Sequence, residues 1–206
     1  GNHADANNPW MARCGGTYTN VYRRFDGGTN GSYHTLYRTR MVRIATSGGQ
    51  REEDNHHCLS IDEDGYVWAW GYNGYGQLGL GNTTSYNQPR RLDDGTNASR
   101  FGQKAVEGIW VAGQEYAYNF AVTSDGNLYG WGNNDNGQLG DGTVVDKHTP
   151  TLIDTGTWVD ATRGEIRKVQ LCSGGNMSSS AILTSTGQIW VTGYNAQGWH
   201  CMDNTT

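Results

Sequence analysis

Apolar and polar residues alternate along this chain in short bursts bounded by Gly, Asn and Asp. Cys58–Ile61 and Val67–Trp70 are β-prone runs separated by Asp62-Glu63-Asp64-Gly65, which reads as a hairpin loop with glycine where a positive φ is needed. Ala105–Ala112 and Ile166–Cys172 read as further strands, with Arg40–Thr46 as an earlier counterpart. No stretch places an apolar residue every three or four positions over a dozen residues, so no long helix is predicted. Alternation within Val67-Trp68-Ala69-Trp70 puts Trp68 and Trp70 on one sheet face, where they are expected to pack between neighbouring units.

The pattern recurs. GYVWAWGYNGYGQLG occupies 65–79, GNLYGWGNNDNGQLG occupies 126–140 and GQIWVTGYNAQGWHC occupies 187–201, a period of 61 residues. The same offset relates Pro89 to Pro150, Leu92 to Ile153, and Leu59-Ser60-Ile61 to Phe120-Ala121-Val122 and Ala181-Ile182-Leu183. Three to four short strands in each unit of about 60 residues is the signature of a β-propeller blade. The chain divides into a divergent blade or lead-in segment at 1–43, repeats at 44–109 and 110–170, and a partial repeat at 171–206.

The spaced pattern G-x-[VLI]-[WY]-x-W-G-x-N-x-x-G-Q-L-G, followed by a proline, resembles the regulator of chromosome condensation repeat. It is full in the copies at 65–92 and 126–153 and partial at 187–201, where Thr192 stands in place of Trp and Trp199-His200-Cys201 replaces Gln-Leu-Gly. The resemblance implies an all-β, seven-bladed propeller with four-stranded blades. The 206 residues hold just over three units, whereas closed propellers have roughly four to eight blades. An incomplete propeller of about three blades leaves open edges and apolar faces. Further chain, a protein partner, or a second copy in a homo-oligomer or larger assembly is expected to complete it.

Composition agrees with a strand-and-turn protein: 31 Gly, 3 Pro and 11% aromatic residues, with only 17% charged. The net charge of −5 gives no whole-molecule attraction for nucleic acid or an anionic membrane, although six arginines gather in residues 1–43. Cys14, Cys58, Cys172 and Cys201 form no C-x-x-C pair, so neither a zinc site nor a disulfide framework is indicated. No apolar run of 18 residues suggests a membrane span.

Few residues suggest chemistry. Asn55-His56-His57-Cys58 looks like a metal cluster, but neighbouring strand residues point to opposite faces, so His57 and Cys58 read as structural. The acidic runs Glu52-Glu53-Asp54 and Asp62-Glu63-Asp64 lack calcium-loop spacing and read as solvated loops. The Gly-rich loops at 71–81 and 132–142 lack the Lys-Ser/Thr of a phosphate loop, and Asn73, Asn134 and Asn195 read as turn-forming. Tyr22, Arg23, Arg24, Tyr37 and Arg38 interleave aromatic and basic side chains and are the candidate binding residues, although alternation in a half-buried strand gives the same pattern. No cofactor, metal or catalytic constellation is indicated.

The expected function is a non-enzymatic scaffold presenting a protein- or glycan-binding surface. Low charge with abundant Gly, Asn and Thr suggests a virion or cell-surface component such as a phage tail or adhesin. The alternatives are a cytoplasmic or nuclear adaptor or chromatin-binding propeller and, as the family resemblance implies, a guanine-nucleotide exchange factor.

Overall fold

The computed structural model describes residues 40–47, 56–92, 100–113, 116–153, 164–172, 177–196 and 198. Eleven strands, and no helix, appear among them. The first sheet runs β1 (Met41–Thr46), β2 (His57–Asp62), β3 (Val67–Gly71) and β4 (Tyr86–Arg91). The second holds β5 (Val106–Ala112), β6 (Tyr118–Thr123), β7 (Leu128–Gly132) and β8 (Lys147–Leu152). The third holds β9 (Ile166–Cys172), β10 (Ser179–Thr184) and β11 (Ile189–Gly193). Each sheet is a meander in sequence order with antiparallel neighbours.

The hairpins form as their turn residues dictate. Gly65, Gly126 and Gly187 take φ of +84°, +81° and +83° between the second and third strands of each sheet. A tighter demand falls on Gly71, Gly132 and Gly193 at the strand ends. There φ is +107°, +103° and +107°, and a Cβ on Gly132 would lie 2.5 Å from Ala117 O. Pro89 and Pro150 sit in β4 and β8, the outermost strands of their sheets, where a missing ladder donor is tolerated.

The core lies between sheets. Leu59, Ile61, Val67 and Leu78 of the first unit pack against Val106, Ile109, Tyr129 and Trp131 of the second. Tyr118, Phe120, Leu128 and Leu139 of the second pack against Val169 and Ile182 of the third. This is the face-to-face stacking of adjacent propeller blades. Trp131, Tyr129 and Trp190 pack against the preceding blade, as the alternation of Trp68 and Trp70 predicted for their counterparts.

Burial along the equivalent strands records how many faces are covered. All of β2 is buried: His57, Leu59 and Ile61 face the second blade, and Cys58, Ser60 and Asp62 on the opposite face are buried too. In β10 only Ser180, Ile182 and Thr184 are buried, the residues facing the second blade.

Candidate functional site

The blade junctions carry the most specific chemistry, and it recurs. At the first junction Asn119 Nδ2 donates to Gln77 O (2.8 Å), and Trp131 Nε1 donates to the same carbonyl (2.9 Å). At the second, Ser180 Oγ donates to Gln138 O (2.8 Å) and Thr192 Oγ1 to Gly137 O (2.8 Å). Gln77 and Gln138 are equivalent, as are Asn119 and Ser180, and Trp131 and Thr192. Thr192, a departure from the repeat pattern, thus still donates to the loop of the preceding blade, but to the carbonyl one residue before the counterpart of the one tryptophan uses.

His57 completes the first junction. Its Nε2 lies 2.6 Å from Asn119 Oδ1. Since Asn119 Nδ2 is engaged by Gln77 O, Oδ1 must be the acceptor and His57 Nε2 carries the proton. The ring is fully buried, and burial pushes its pKa down to about 4 against the raising effect of the bond it donates to Asn119, with nearby His56 lowering it further. His57 is therefore neutral at pH 7, its Nδ1 a buried acceptor without a partner. Tyr118, its equivalent, donates to Ser179 O (2.6 Å) in the third blade; burial raises its pKa. Both residues brace the next blade, the structural role read from the sequence. Cys58 faces the other way, at the position equivalent to Asn119. Among the described residues no group of three His, Cys, Asp or Glu is arranged to hold a metal.

The Gly/Asn loops are turn scaffolds. Asn73 Nδ2 donates to Asn82 O and Thr84 O (both 2.9 Å), while Asn73 Oδ1 accepts from Leu78 N (2.8 Å). Asn134 repeats the arrangement with Thr143 O, Val145 O and Leu139 N. One reading needs correction: Asp62 is not a solvated loop residue. It is 2% exposed, accepts from Trp68 Nε1 (2.8 Å) and Tyr66 N (2.8 Å), and pins its hairpin, while Glu63 and Asp64 are exposed.

The two ends of the stack differ from its middle. Ile44, Ile109 and Val169 are equivalent by strand register. Ile109 and Val169 are 8% and 3% exposed against a preceding blade, but Ile44 is 66% exposed. At the other end Val67 and Leu128 are each 2% exposed, whereas the equivalent Ile189 is 70% exposed. Sequence reasoning did not single out Ile44 or Ile189. Their signal was present, since each is apolar at a position that is apolar and buried in the neighbouring units.

The candidate residues Tyr22, Arg23, Arg24, Tyr37 and Arg38, and the acidic run Glu52-Glu53-Asp54, lie outside the described residues. Among the described residues no helix is long and apolar enough to cross a membrane.

Comparison with known proteins agrees with this geometry. The family model for the regulator of chromosome condensation (RCC1) repeat matches residues 64–106 and 125–182. The chain is 32% identical over 149 residues to the ultraviolet-B receptor UVR8 of Arabidopsis thaliana, covering 71% of this chain and 28% of that protein. It is 26% identical over 183 residues to the human E3 ubiquitin-protein ligase HERC2, covering 89% of this chain and 3% of that one. Among solved structures, yeast RCC1 (Prp20) bound to Kap60 superposes with a TM-score of 0.50 at 26% identity, covering 76% of this chain and 30% of the other. Human WBSCR16 has the same fold, with a TM-score of 0.55 at 24% identity over 92% of this chain and 41% of that one. The chain thus spans less than half the length of each. A virion or cell-surface setting gains no support from these relatives.

Proposed function

Because the chain belongs to the RCC1-like repeat family, we propose that it is a non-enzymatic binding scaffold, a run of propeller blades that continues into further blades at both ends. In this reading 44–109, 110–170 and 171–206 are sequence repeats offset from the blades, whose first strands begin at Met41, Val106 and Ile166, and 1–43 leads in from the blade before. The ring carries loops on its two faces for protein partners. The yeast relative Prp20p, 27% identical over 76% of this chain, is described by its binding to Gsp1p and histones. That supports a protein partner and an intracellular setting, cytoplasmic or nuclear. Guanine-nucleotide exchange remains the alternative that the family brings with it, and acceleration of nucleotide release from a small GTPase would establish it.

The observation that carries the proposal is the mismatch at the ends. Ile44 and Ile189 are exposed at 66% and 70% where their equivalents are buried. Isolated apolar residues on a surface are ordinary, but apolar residues at positions that pack in every neighbouring repeat mark a covered face. Ile44→Glu and Ile189→Glu, made separately in the native protein, test this. A blade over either residue would leave the new carboxylate buried and unpaired, costing about 3–5 kcal/mol. Unchanged melting of both variants would contradict the proposal.

A further inference from the structure

The loops that follow β3 and β7 leave from the same end of the stack as the residues that precede β6, because His57 pairs with Gly71 and Tyr118 with Gly132. At this end the first junction carries three half-buried tyrosines. Tyr75 packs edge-on against Tyr72 (centroids 6.4 Å) and lies tilted against Tyr116 of the second blade (5.8 Å, 30°). The pair is found in one copy: the positions equivalent to Tyr72 and Tyr75 are Asn133 and Asn136 in the second, and in the third Tyr194 recurs at the first position but Gln197 stands at the second.

The fold is served worse by Tyr72 than by its equivalent. In the second blade Gln138 Oε1 accepts from Asn136 N (2.9 Å), and Gln138 Nε2 donates to Asn133 Oδ1 (2.6 Å). In the first blade Gln77 Oε1 accepts from Tyr75 N (2.9 Å), which holds the amide in the same sense. Its Nε2 is aimed at the place of Asn133, where Tyr72 now stands, and this fully buried donor has no partner. A buried unmade hydrogen bond is destabilising, and a local rule broken without structural gain marks a functional position.

Beside the tyrosines lies negative charge. Asn133 N bonds Ala117 O, next to Tyr116, and Asn133 Nδ2 donates to Asp135 Oδ2 (2.9 Å) and lies 3.4 Å from Asp146 Oδ1. Asp141 is neutralised by Lys147 at 2.9 Å. Asp135 and Asp146 have no such ion pair among the described residues. Burial raises the pKa of Asp146, helped by the charge of Asp135 and opposed by the bond from Asn134 N and by nearby His148 and Lys147.

We propose that this end of the first junction is a docking site for a basic segment of a protein partner, with a Lys or Arg side chain over Tyr75 and Tyr116 and Asp135 and Asp146 as its counter-charges. Aromatic faces and carboxylates outside any ion pair among the described residues together fit a cation, and neither suits an acidic or purely apolar partner. The inference rests on the propeller reading only for the placement of these loops on one face.

Fluorescence polarisation of a labelled short peptide of Arg, Lys and Gly, with a Glu/Asp counterpart as control, tests it on the native protein. The basic peptide binds, and the acidic one does not. Tyr75→Asn and Tyr116→Asn each weaken binding about tenfold, the scale of a partly desolvated cation–π contact, and Asp135→Asn weakens it and lowers its salt dependence. Tyr72→Asn discriminates best. It weakens binding while melting stays level or rises, because the new side chain supplies Gln77 with its acceptor. Wild-type binding by Tyr72→Asn and Tyr75→Asn, equal binding of the acidic peptide, or no binding of the basic one at low salt overturns the proposal. The substitutions at Ile44 and Ile189 leave this face untouched, so either reading can fail while the other stands.

Discussion

Replacing His57 with glutamine isolates the contribution of one buried ring to stability. Folding takes the imidazole pKa from 6.5 to about 4, chiefly through burial. Between those values the unfolded chain binds a proton that the folded protein refuses, so stability rises with pH across the window. The contribution is fully present above pH 6.5, is lost progressively on acidification and is gone below pH 4. At about 1.4 kcal/mol for each pH unit, going from pH 6.5 to pH 4 removes about 3 kcal/mol. Glutamine does not titrate, and its amide can still donate to Asn119 Oδ1, so His57→Gln keeps the blade contact and removes the proton linkage. Urea denaturation of both proteins at steps from pH 7.5 to pH 4 measures the effect. Carboxylates titrate equally in the two and cancel in the difference. The wild type should lose about 3 kcal/mol more than the variant over this range. Parallel pH profiles would refute the burial of a neutral His57 between blades.

Other substitutions test other parts of the account. Trp131→Phe removes the donor to Gln77 O and part of a fully buried ring, and should cost about 1–3 kcal/mol in chemical denaturation. Asn134→Ala strands Leu139 N and the carbonyls of Thr143 and Val145, for an expected loss of about 2–4 kcal/mol with faster hydrogen exchange confined to that loop. Gly132→Ala and Gly126→Ala form a contrast in which both strain a positive φ, but only Gly132 adds a backbone clash, at 2.5 Å, while the space beside Gly126 is open. Gly126→Ala should cost about 1 kcal/mol and Gly132→Ala several times more in thermal melts. Equal losses would contradict the packing described for Gly132.

The blade architecture was legible because backbone requirements repeat as residue types. A glycine held at positive φ, or an asparagine binding its own loop, is demanded afresh in every unit, so Gly65, Gly126 and Gly187 return at a fixed interval. A period has no origin, however, and the sheets supply it: they begin at Met41, Val106 and Ile166, the strands before each hairpin. The junction bonds were illegible for a different reason. Cys58, Asn119 and Ser180 share a position but not a chemistry, and the acceptor for Asn119 and Trp131 is a main-chain carbonyl, which no residue type announces. Asp62 was misread because its acidic neighbours suggested solvent, whereas its own partner is Trp68 in the strand opposite. Tyr72 and Tyr75 are separated from Tyr116 along the chain and meet only because one blade leans on the next. Their one trace in the sequence is that both depart from asparagines in the copy that follows.

The central claim is that these sheets are consecutive blades of a longer ring. An experimental structure of the native protein, by cryo-electron microscopy or crystallography, tests it most directly. The account predicts Trp131 Nε1 on Gln77 O, with one further sheet packed over Ile44 and another over Ile189. A stack ending in solvent at either isoleucine, or Trp131 away from the first blade, would contradict it.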